Sequence, residues 1–135
     1  MPTPIKPWIL LVEDEPEIVE VVTEALTEEG FRVTSCSKAA QALRLMNNQK
    51  YDCLLLDNQL EQGTGEQVLA AVRKEKTNLN YATPALMVSG QLDQGTLIRI
   101  GKELVGALVK PFEMKALVAK LKSICEDSTG AAFIS

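Results

Sequence analysis

The sequence contains no histidine and only three cysteines, and both scarcities exclude particular kinds of catalytic and metal-binding site. Without histidine, Ser-His and Cys-His catalysis, imidazole metal sites and a phosphohistidine within this chain are impossible. The cysteines (Cys36, Cys53 and Cys125) are odd in number, far apart and set in apolar or strand-like segments. This pattern indicates core thiols in a reducing compartment rather than disulfides or a zinc site.

Long apolar runs and basic clusters are also missing. The longest early apolar run, Trp8–Val12, is far shorter than the ~20 residues of a membrane-spanning helix, and it does not resemble a signal peptide. We therefore expect a cytoplasmic chain without membrane contact. Fourteen Lys and Arg against 18 Asp and Glu give a net charge of −4. Because nucleic-acid binders gather basic residues on one face, we expect no direct nucleic-acid binding.

What the sequence does contain is an alternation of strand-like and helix-like segments over 135 residues, the length of one ordinary domain. Apolar runs predict five strands, at residues 9–12, 31–36, 53–56, 85–88 and 106–109. Five helices are predicted to follow them. Four lie over residues 16–29, 38–48, 91–104 and 114–125, and the third in chain order starts after Thr64 and carries Val68, Leu69 and Val72. Continuous apolar strands are typical of a parallel sheet that helices cover on both faces. The predicted fold class is therefore α/β, a doubly wound five-stranded parallel sheet.

Local signals mark several helix ends. Pro16 suits the first turn of the first helix, and Gly30 supplies its stop. Ser37 is predicted to cap the second helix, and Thr64 with Gln67 has the spacing of a capping box for the third. We expect residues 1–7 to be a loose lead-in, residues 8–126 the domain, and residues 127–135 a tail or truncated linker.

Polar residues follow the apolar runs at four places, as Glu13 with Asp14, Asp57, Ser89 and Lys110. The carboxyl ends of parallel strands meet at one edge of the sheet, where α/β proteins bind ligands. Carboxylates gathered there repel one another, and a hard cation such as Mg²⁺ relieves that repulsion. Lys110 and Ser89 offer an ammonium and a hydroxyl to phosphoryl oxygens. Asp57, between them, is the natural covalent acceptor.

Each of these residues has a simpler interpretation when it is taken alone. Acidic residues after a strand are usually solvated loop residues, or charges favoured by a helix N terminus, and Glu15 and Glu17 fit that description. Ser89 alone is more often a helix cap, and Lys110 before a proline is simply a strand ending. The coincidence of four such ends on one sheet edge favours a functional site.

Four stretches, in order and spacing, resemble those of bacterial two-component receiver domains. They are ILLVEDEP at 9–16, YDCLLLD at 51–57, PALMVSG at 84–90 and LVKPF at 108–112, within a resemblance that spans residues 9–125. Any one of them is a weak signal, whereas the four together are specific. The resemblance implies a flavodoxin-like sheet with strand order 2-1-3-4-5 and a Mg²⁺ cofactor.

The resemblance also implies the roles of individual residues. Glu13 and Asp14 correspond to the acidic pair that holds Mg²⁺, and Asp57 corresponds to the phosphoacceptor and a further metal ligand. The main-chain carbonyl of Gln59 corresponds to the last protein ligand of the metal. Ser89 matches the switch hydroxyl.

Lys110 matches the lysine that pairs with the phosphoryl group, and the bond before Pro111 is expected to be cis. The implied function is that of a signalling phosphoacceptor, not of an enzyme acting on other substrates. Because this chain has no histidine, the donor to Asp57 is expected to be a histidine kinase or a histidine phosphotransfer protein. The signal would pass to a downstream effector protein or to a following output domain, through a shift between two packings.

Three positions depart from the family's usual pattern. Ala107 stands where an aromatic residue is usual, Glu61 where proline is common, and Thr64 where aspartate is frequent. These departures concern the output of the signal rather than the phosphorylation chemistry.

Two other functions are weighed beside the phosphoacceptor. The alternative is a receiver-like interaction domain that works without phosphorylation. A flavin or nucleotide enzyme on the same fold is third, since no Gly-x-Gly-x-x-Gly follows the first strand. The sequence leaves the oligomeric state open.

Overall fold

A computed structural model of the chain describes the backbone of residues 5–129 and the side chains of residues 5–126. Strands and helices alternate along it, and a short 3₁₀ turn (Gly101–Glu103) precedes the last strand. The strands are β1 (Trp8–Val12), β2 (Arg32–Cys36), β3 (Cys53–Leu56), β4 (Ala85–Ser89) and β5 (Gly106–Val109). The helices are α1 (Pro16–Glu28), α2 (Ala39–Asn48), α3 (Gly65–Lys74), α4 (Gln94–Ile100) and α5 (Met114–Thr129).

The five strands form one parallel sheet in the order β2-β1-β3-β4-β5. This confirms the predicted fold class and strand order. Val12 at the end of β1 pairs with Cys36 and Leu56, and Ser89 at the end of β4 pairs with Val109. The carboxyl ends of the strands therefore lie at one edge of the sheet, with β4 and β5 extending two residues beyond β3, and the polar residues at these ends share that edge.

The apolar runs are buried on both faces of the sheet, as their lack of alternation predicts. Along β1, Leu10 and Val12 pack with side chains of α2 and α3. Ile9 and Leu11, on the opposite face, pack with side chains of α1 and α5. Because successive strand residues point to opposite faces, one strand contributes to both halves of the core.

Three of the helix-end predictions are confirmed, and the first of them is Pro16, which is the first residue of α1. Gly30 follows α1 with a φ of 93°, the left-handed conformation that favours glycine after a helix. At the start of α3 the Thr64 hydroxyl accepts from the Gln67 N–H, and the Gln67 side chain accepts from the Thr64 N–H, which is a complete capping box.

Other boundary predictions are wrong. Ser37 is not the cap of α2, whose N-cap is Lys38 without a side-chain hydrogen bond, because the Ser37 N–H and hydroxyl both donate to Gln41. Helix α4 is only seven residues long, since Asp93 caps it by accepting from the Thr96 N–H at 2.7 Å. Helix α5 continues past residue 125 to Thr129.

The remaining predictions on the chain concern the thiols, the membrane and the termini. Cys36, Cys53 and Cys125 form no disulfide within the described residues, and burial raises the pKa of the Cys36 thiol to about 11, which keeps it neutral. No helix within residues 5–129 is long and apolar enough to cross a membrane. Most of the predicted lead-in and tail, residues 1–4 and 130–135, lies outside the described residues.

Candidate functional site

The ends of β1 and β3 place two carboxylates side by side inside the sheet edge. The Asp57 N–H donates to the Val12 carbonyl at 2.9 Å, and the Glu13 N–H donates to the Cys36 carbonyl at 2.9 Å. Both residues thus continue the strand pairing by one position. Their exposed fractions are only 2% for Glu13 and 4% for Asp57. Carboxylates that are this buried require compensating charge or hydrogen bonds.

Asp14 adds a third, half-buried carboxylate to this pair. One oxygen from each of Glu13, Asp14 and Asp57 lies within 4.8 Å of the others. Oxygen ligands of Mg²⁺ lie about 2.1 Å from the ion, so ligands on opposite sides are roughly 4.2 Å apart. The donor set is all oxygen, and its spacing is close to that of a magnesium coordination shell. The residues present therefore fit a magnesium ion.

Lys110 supplies the compensating charge. Its ammonium nitrogen lies 2.6 Å from Glu13 Oε1, 3.0 Å from Asp57 Oδ2 and 3.3 Å from Glu15 Oε1. The residue directly follows β5, and its N–H donates to the Ser89 carbonyl at 2.8 Å. The bond to Pro111 is cis, as the resemblance implies. Lys110 therefore bridges carboxylates that originate from two strands and from the start of α1.

The pKa values of Glu13 and Lys110 are shifted by this arrangement. Burial raises the pKa of Glu13 to about 7, assisted by Asp57 and opposed by Lys110 and by the Glu15 N–H. Burial by itself lowers the pKa of Lys110, but its hydrogen bonds to Glu13 and Asp57 outweigh that effect and the pKa is raised. Without metal, Glu13 thus changes its protonation near neutral pH, whereas Lys110 stays charged.

Ser89 and Gln59 lie at the same edge but make other contacts. The buried Ser89 hydroxyl donates to the Gln91 carbonyl at 3.3 Å and accepts from the Gln91 N–H at 3.5 Å. The Gln59 N–H donates to Asp57 Oδ1 at 3.0 Å and helps to orient that carboxylate. The metal-binding role of the Gln59 carbonyl and the switch role of the Ser89 hydroxyl stay predictions.

Two residues that contact the site were not among the predicted ones. The sequence indicates that Glu15 is a charge favoured by the start of α1, yet its carboxylate pairs with Lys110. Gly65, the first residue of α3, approaches the strand end so closely that an added Cβ would lie 2.5 Å from the Asp57 carbonyl oxygen. The glycine itself is visible in the sequence, but its neighbour in space is not.

The comparison with known protein families identifies the family that has this arrangement of residues. The family model described as the response regulator receiver domain matches residues 9–122. The chain belongs to this family. Receiver domains are the phosphoacceptor modules of two-component signalling, and the resemblance seen in the four sequence stretches is confirmed over nearly its whole length.

Relatives of this receiver domain include transcriptional regulators. The chain is 33% identical over 123 residues to the transcriptional regulatory protein YcbL of Bacillus subtilis, covering 89% of this chain and 51% of YcbL. It is 32% identical over 123 residues to the transcriptional regulatory protein CpxR of Escherichia coli, covering 89% of this chain and 50% of CpxR. The chain thus spans about half the length of these curated relatives.

Solved receiver domains share its fold. A CheY-like receiver domain protein from Methanospirillum hungatei superimposes with a TM-score of 0.85 at 21% identity, covering 93% of this chain and 98% of that one. The receiver domain of the sensor histidine kinase PA1611 from Pseudomonas aeruginosa superimposes with a TM-score of 0.76 at 28% identity, covering 94% of this chain and 100% of that one. That structure has a magnesium ion coordinated in its active-site cleft.

Proposed function

We propose that this receiver domain accepts a phosphoryl group on Asp57 from a partner's phosphohistidine, with Mg²⁺ as cofactor. One observation carries the proposal. The buried Asp57 carboxylate lies 3.0 Å from the Lys110 ammonium and shares a cluster of carboxylate oxygens with Glu13 and Asp14. Phosphoryl transfer depends mainly on positioning and on neutralising charge, and these four side chains supply the parts for both.

In the proposed step, an Asp57 carboxylate oxygen attacks the phosphorus atom in line with the bond to the donor nitrogen. The P–N bond breaks as the O–P bond forms, and its electron pair returns to the imidazole of the partner. The product is an acyl phosphate, which water later hydrolyses to the Asp57 carboxylate and inorganic phosphate. Lys110, already 3.0 Å from Asp57, is placed to meet the negative charge of the transferred group.

The metal would be held by Glu13, Asp14, Asp57 and the main-chain carbonyl of Gln59. When bound, Mg²⁺ supplies positive charge that neutralises phosphoryl oxygens. The all-oxygen donor set of this chain and the magnesium ion in the PA1611 receiver domain support this assignment.

The proposed output is a population shift that changes partner interactions. Ser89 would exchange its contact with Gln91 for one with the phosphoryl group. The partners are a histidine kinase or histidine phosphotransfer protein on the input side, and an effector protein or an output domain on the other. The proposed role is a cytoplasmic signalling phosphoacceptor, formed by residues 8–126, rather than an enzyme or a direct nucleic-acid binder.

Incubation with acetyl phosphate and MgCl₂ tests the proposal. Intact-mass measurement should show the gain of one phosphoryl group in the wild type, and no gain in Asp57→Asn or in the presence of EDTA. Equal phosphorylation of Asp57→Asn would overturn the assignment. A wild type that gains no mass and does not bind beryllofluoride would instead favour the alternative, an interaction domain that works without phosphorylation.

A further inference from the structure

The ammonium group of Lys110 has a carboxylate partner for each of its three N–H donors in this structure. An ammonium group has three N–H donors, and three carboxylates surround this one. The contacts are with Glu13 at 2.6 Å, Asp57 at 3.0 Å and Glu15 at 3.3 Å. A phosphoryl group on Asp57 that is to contact Lys110 must therefore displace one of them.

The three carboxylates differ in how easily they are given up. Glu13 is 2% exposed and would remain as a buried charge without its ammonium partner, whereas Asp57 becomes the acyl phosphate that carries the phosphoryl group beside Lys110. The side chain of Glu15 is 61% exposed, and water can replace its contact with Lys110. Glu15 is consequently the partner that Lys110 releases at the smallest cost.

The backbone fixes Glu15 while leaving its side chain free to move. Glu15 is the N-cap of α1, and its carbonyl accepts from the N–H groups of Ile18 and Val19. Its own N–H donates to Glu13 Oε2 at 3.1 Å. A Glu15 side chain that swings into solvent thus leaves the start of the helix and the buried carboxylate in place.

We propose that Glu15 is a positioning residue that competes with the phosphoryl group for Lys110. The inference rests on the proposed function of Asp57. In the unphosphorylated domain Glu15 holds the third donor of Lys110, and in the phosphorylated domain the phosphoryl oxygen takes its place. Glu15 thereby sets how tightly a phosphoryl group, or an anion of the same shape, is retained at Asp57.

Beryllofluoride, a stable mimic of the phosphoryl group, provides the test. In the presence of MgCl₂, ¹⁹F NMR of the bound fluoride gives the concentration for half-saturation. Glu15→Gln keeps the side-chain length and removes the charge, so it should lower that concentration about two- to fivefold, the range expected for an exposed ion pair. In ¹⁵N-edited spectra the Lys110 ammonium resonance of the metal-free protein should shift as well.

Two control variants separate a specific contact from a general change of charge. Glu17→Gln removes the same charge two residues further along, from a side chain without an ion pair among residues 5–126, and should match the wild type. Glu15→Asp keeps the charge but shortens the reach by one methylene. It should resemble Glu15→Gln if the contact matters, and the wild type if only the charge matters.

The outcomes also distinguish this inference from the proposed function. If the wild type binds beryllofluoride and Glu15→Gln has the same half-saturation, or if Glu17→Gln gives an equal decrease, Glu15 is not the competitor although Asp57 remains the acceptor. If the wild type fails to bind beryllofluoride at all, the proposed function fails first.

Discussion

At the scale of single residues, the site is a balance between buried carboxylates and one ammonium group. Glu13 contacts Lys110 at 2.6 Å and Asp57 contacts it at 3.0 Å, both with little exposure to water. Charges in such surroundings are costly unless they are paired, so the buried carboxylates repel one another when no metal is bound. A metal cation or a proton reduces that repulsion, and the two therefore compete for the carboxylates.

This competition predicts how stability depends on pH. The pKa of Glu13 is raised from 4.5 to about 7, so the folded protein binds a proton more tightly than the unfolded chain does. This tighter proton binding stabilises the folded protein by on the order of 1–3 kcal/mol. The stabilisation is fully present below pH 4.5 and is lost as the pH rises through 7. We expect the Tm of the metal-free protein to fall between pH 5 and pH 8, relative to Glu13→Gln.

Magnesium should act in the opposite direction over the same range. It binds the carboxylate form, so its affinity should increase from pH 5 to pH 8 and its effect on Tm should increase with it. Calorimetric titration of MgCl₂ at several pH values measures this directly. An affinity that does not change with pH in the wild type would contradict the raised pKa of Glu13.

At the scale of elements, the start of α3 packs directly against the end of β3, which Asp57 follows. The Glu66 N–H donates to Asn58 Oδ1 at 3.0 Å, and the Gly65 N–H donates to the Asn58 carbonyl at 3.4 Å. Glu66 also pairs with Arg99 of α4 at 3.0 Å. The loop after the acceptor is therefore bound to the start of a helix rather than left free.

A substitution at Gly65 tests this packing. Gly65→Ala would place a methyl group 2.5 Å from the Asp57 carbonyl oxygen and push α3 away from the strand end. We expect the variant to be about 1–3 kcal/mol less stable, as measured by urea unfolding. We also expect the beryllofluoride concentration for half-saturation to be at least tenfold higher than that of the wild type. Gly101→Ala is the matched control, because an added Cβ there meets nothing within 4 Å and the backbone is helical.

The control should stabilise the protein slightly, by about 0.4–1 kcal/mol, because alanine restricts the unfolded chain more than glycine does. Its response to beryllofluoride should be that of the wild type. Equal behaviour of the two variants would mean that the close approach of α3 to Asp57 does not control the site.

At the scale of the whole molecule, the sheet separates the site from the other end of the strands. The only tryptophan, Trp8, begins β1, whereas Glu13 follows its end. The length of the strand puts roughly 16–17 Å between them. At that end Trp8 packs edge-on to Tyr51, with ring centroids 5.5 Å apart, and beneath the Arg32 guanidinium at 4.1 Å.

Tryptophan fluorescence should therefore report unfolding of the domain but not events at the site. Addition of MgCl₂ should leave the emission spectrum of the folded protein unchanged while raising the unfolding midpoint followed by the same signal. A magnesium titration and a thermal scan on one sample make both measurements. A change in the folded-state emission that saturates with magnesium would indicate coupling along the full length of the sheet.

The sequence by itself determined the elements and their direction. Runs such as Leu54–Leu55–Leu56 without polar alternation require a sheet that is buried on both faces, and the capping box at Thr64 fixes the start of α3 through local hydrogen bonds. Because parallel strands end at one edge, the order of Glu13, Asp57 and Lys110 along the chain already placed them together.

At two helix starts, local alternatives compete that the apolar pattern does not rank. The side chain of Gln41 accepts from both donors of Ser37, so Lys38 becomes the N-cap of α2, and Asp93 starts α4 later than its apolar pattern indicates. Tertiary structure alone decided a contact between residues that are far apart in the sequence. The partner of Glu15 was equally undetermined, since an exposed acidic side chain has many possible contacts. Only the packing of β5 beside β4, which brings Lys110 across the edge of the sheet, selects that one.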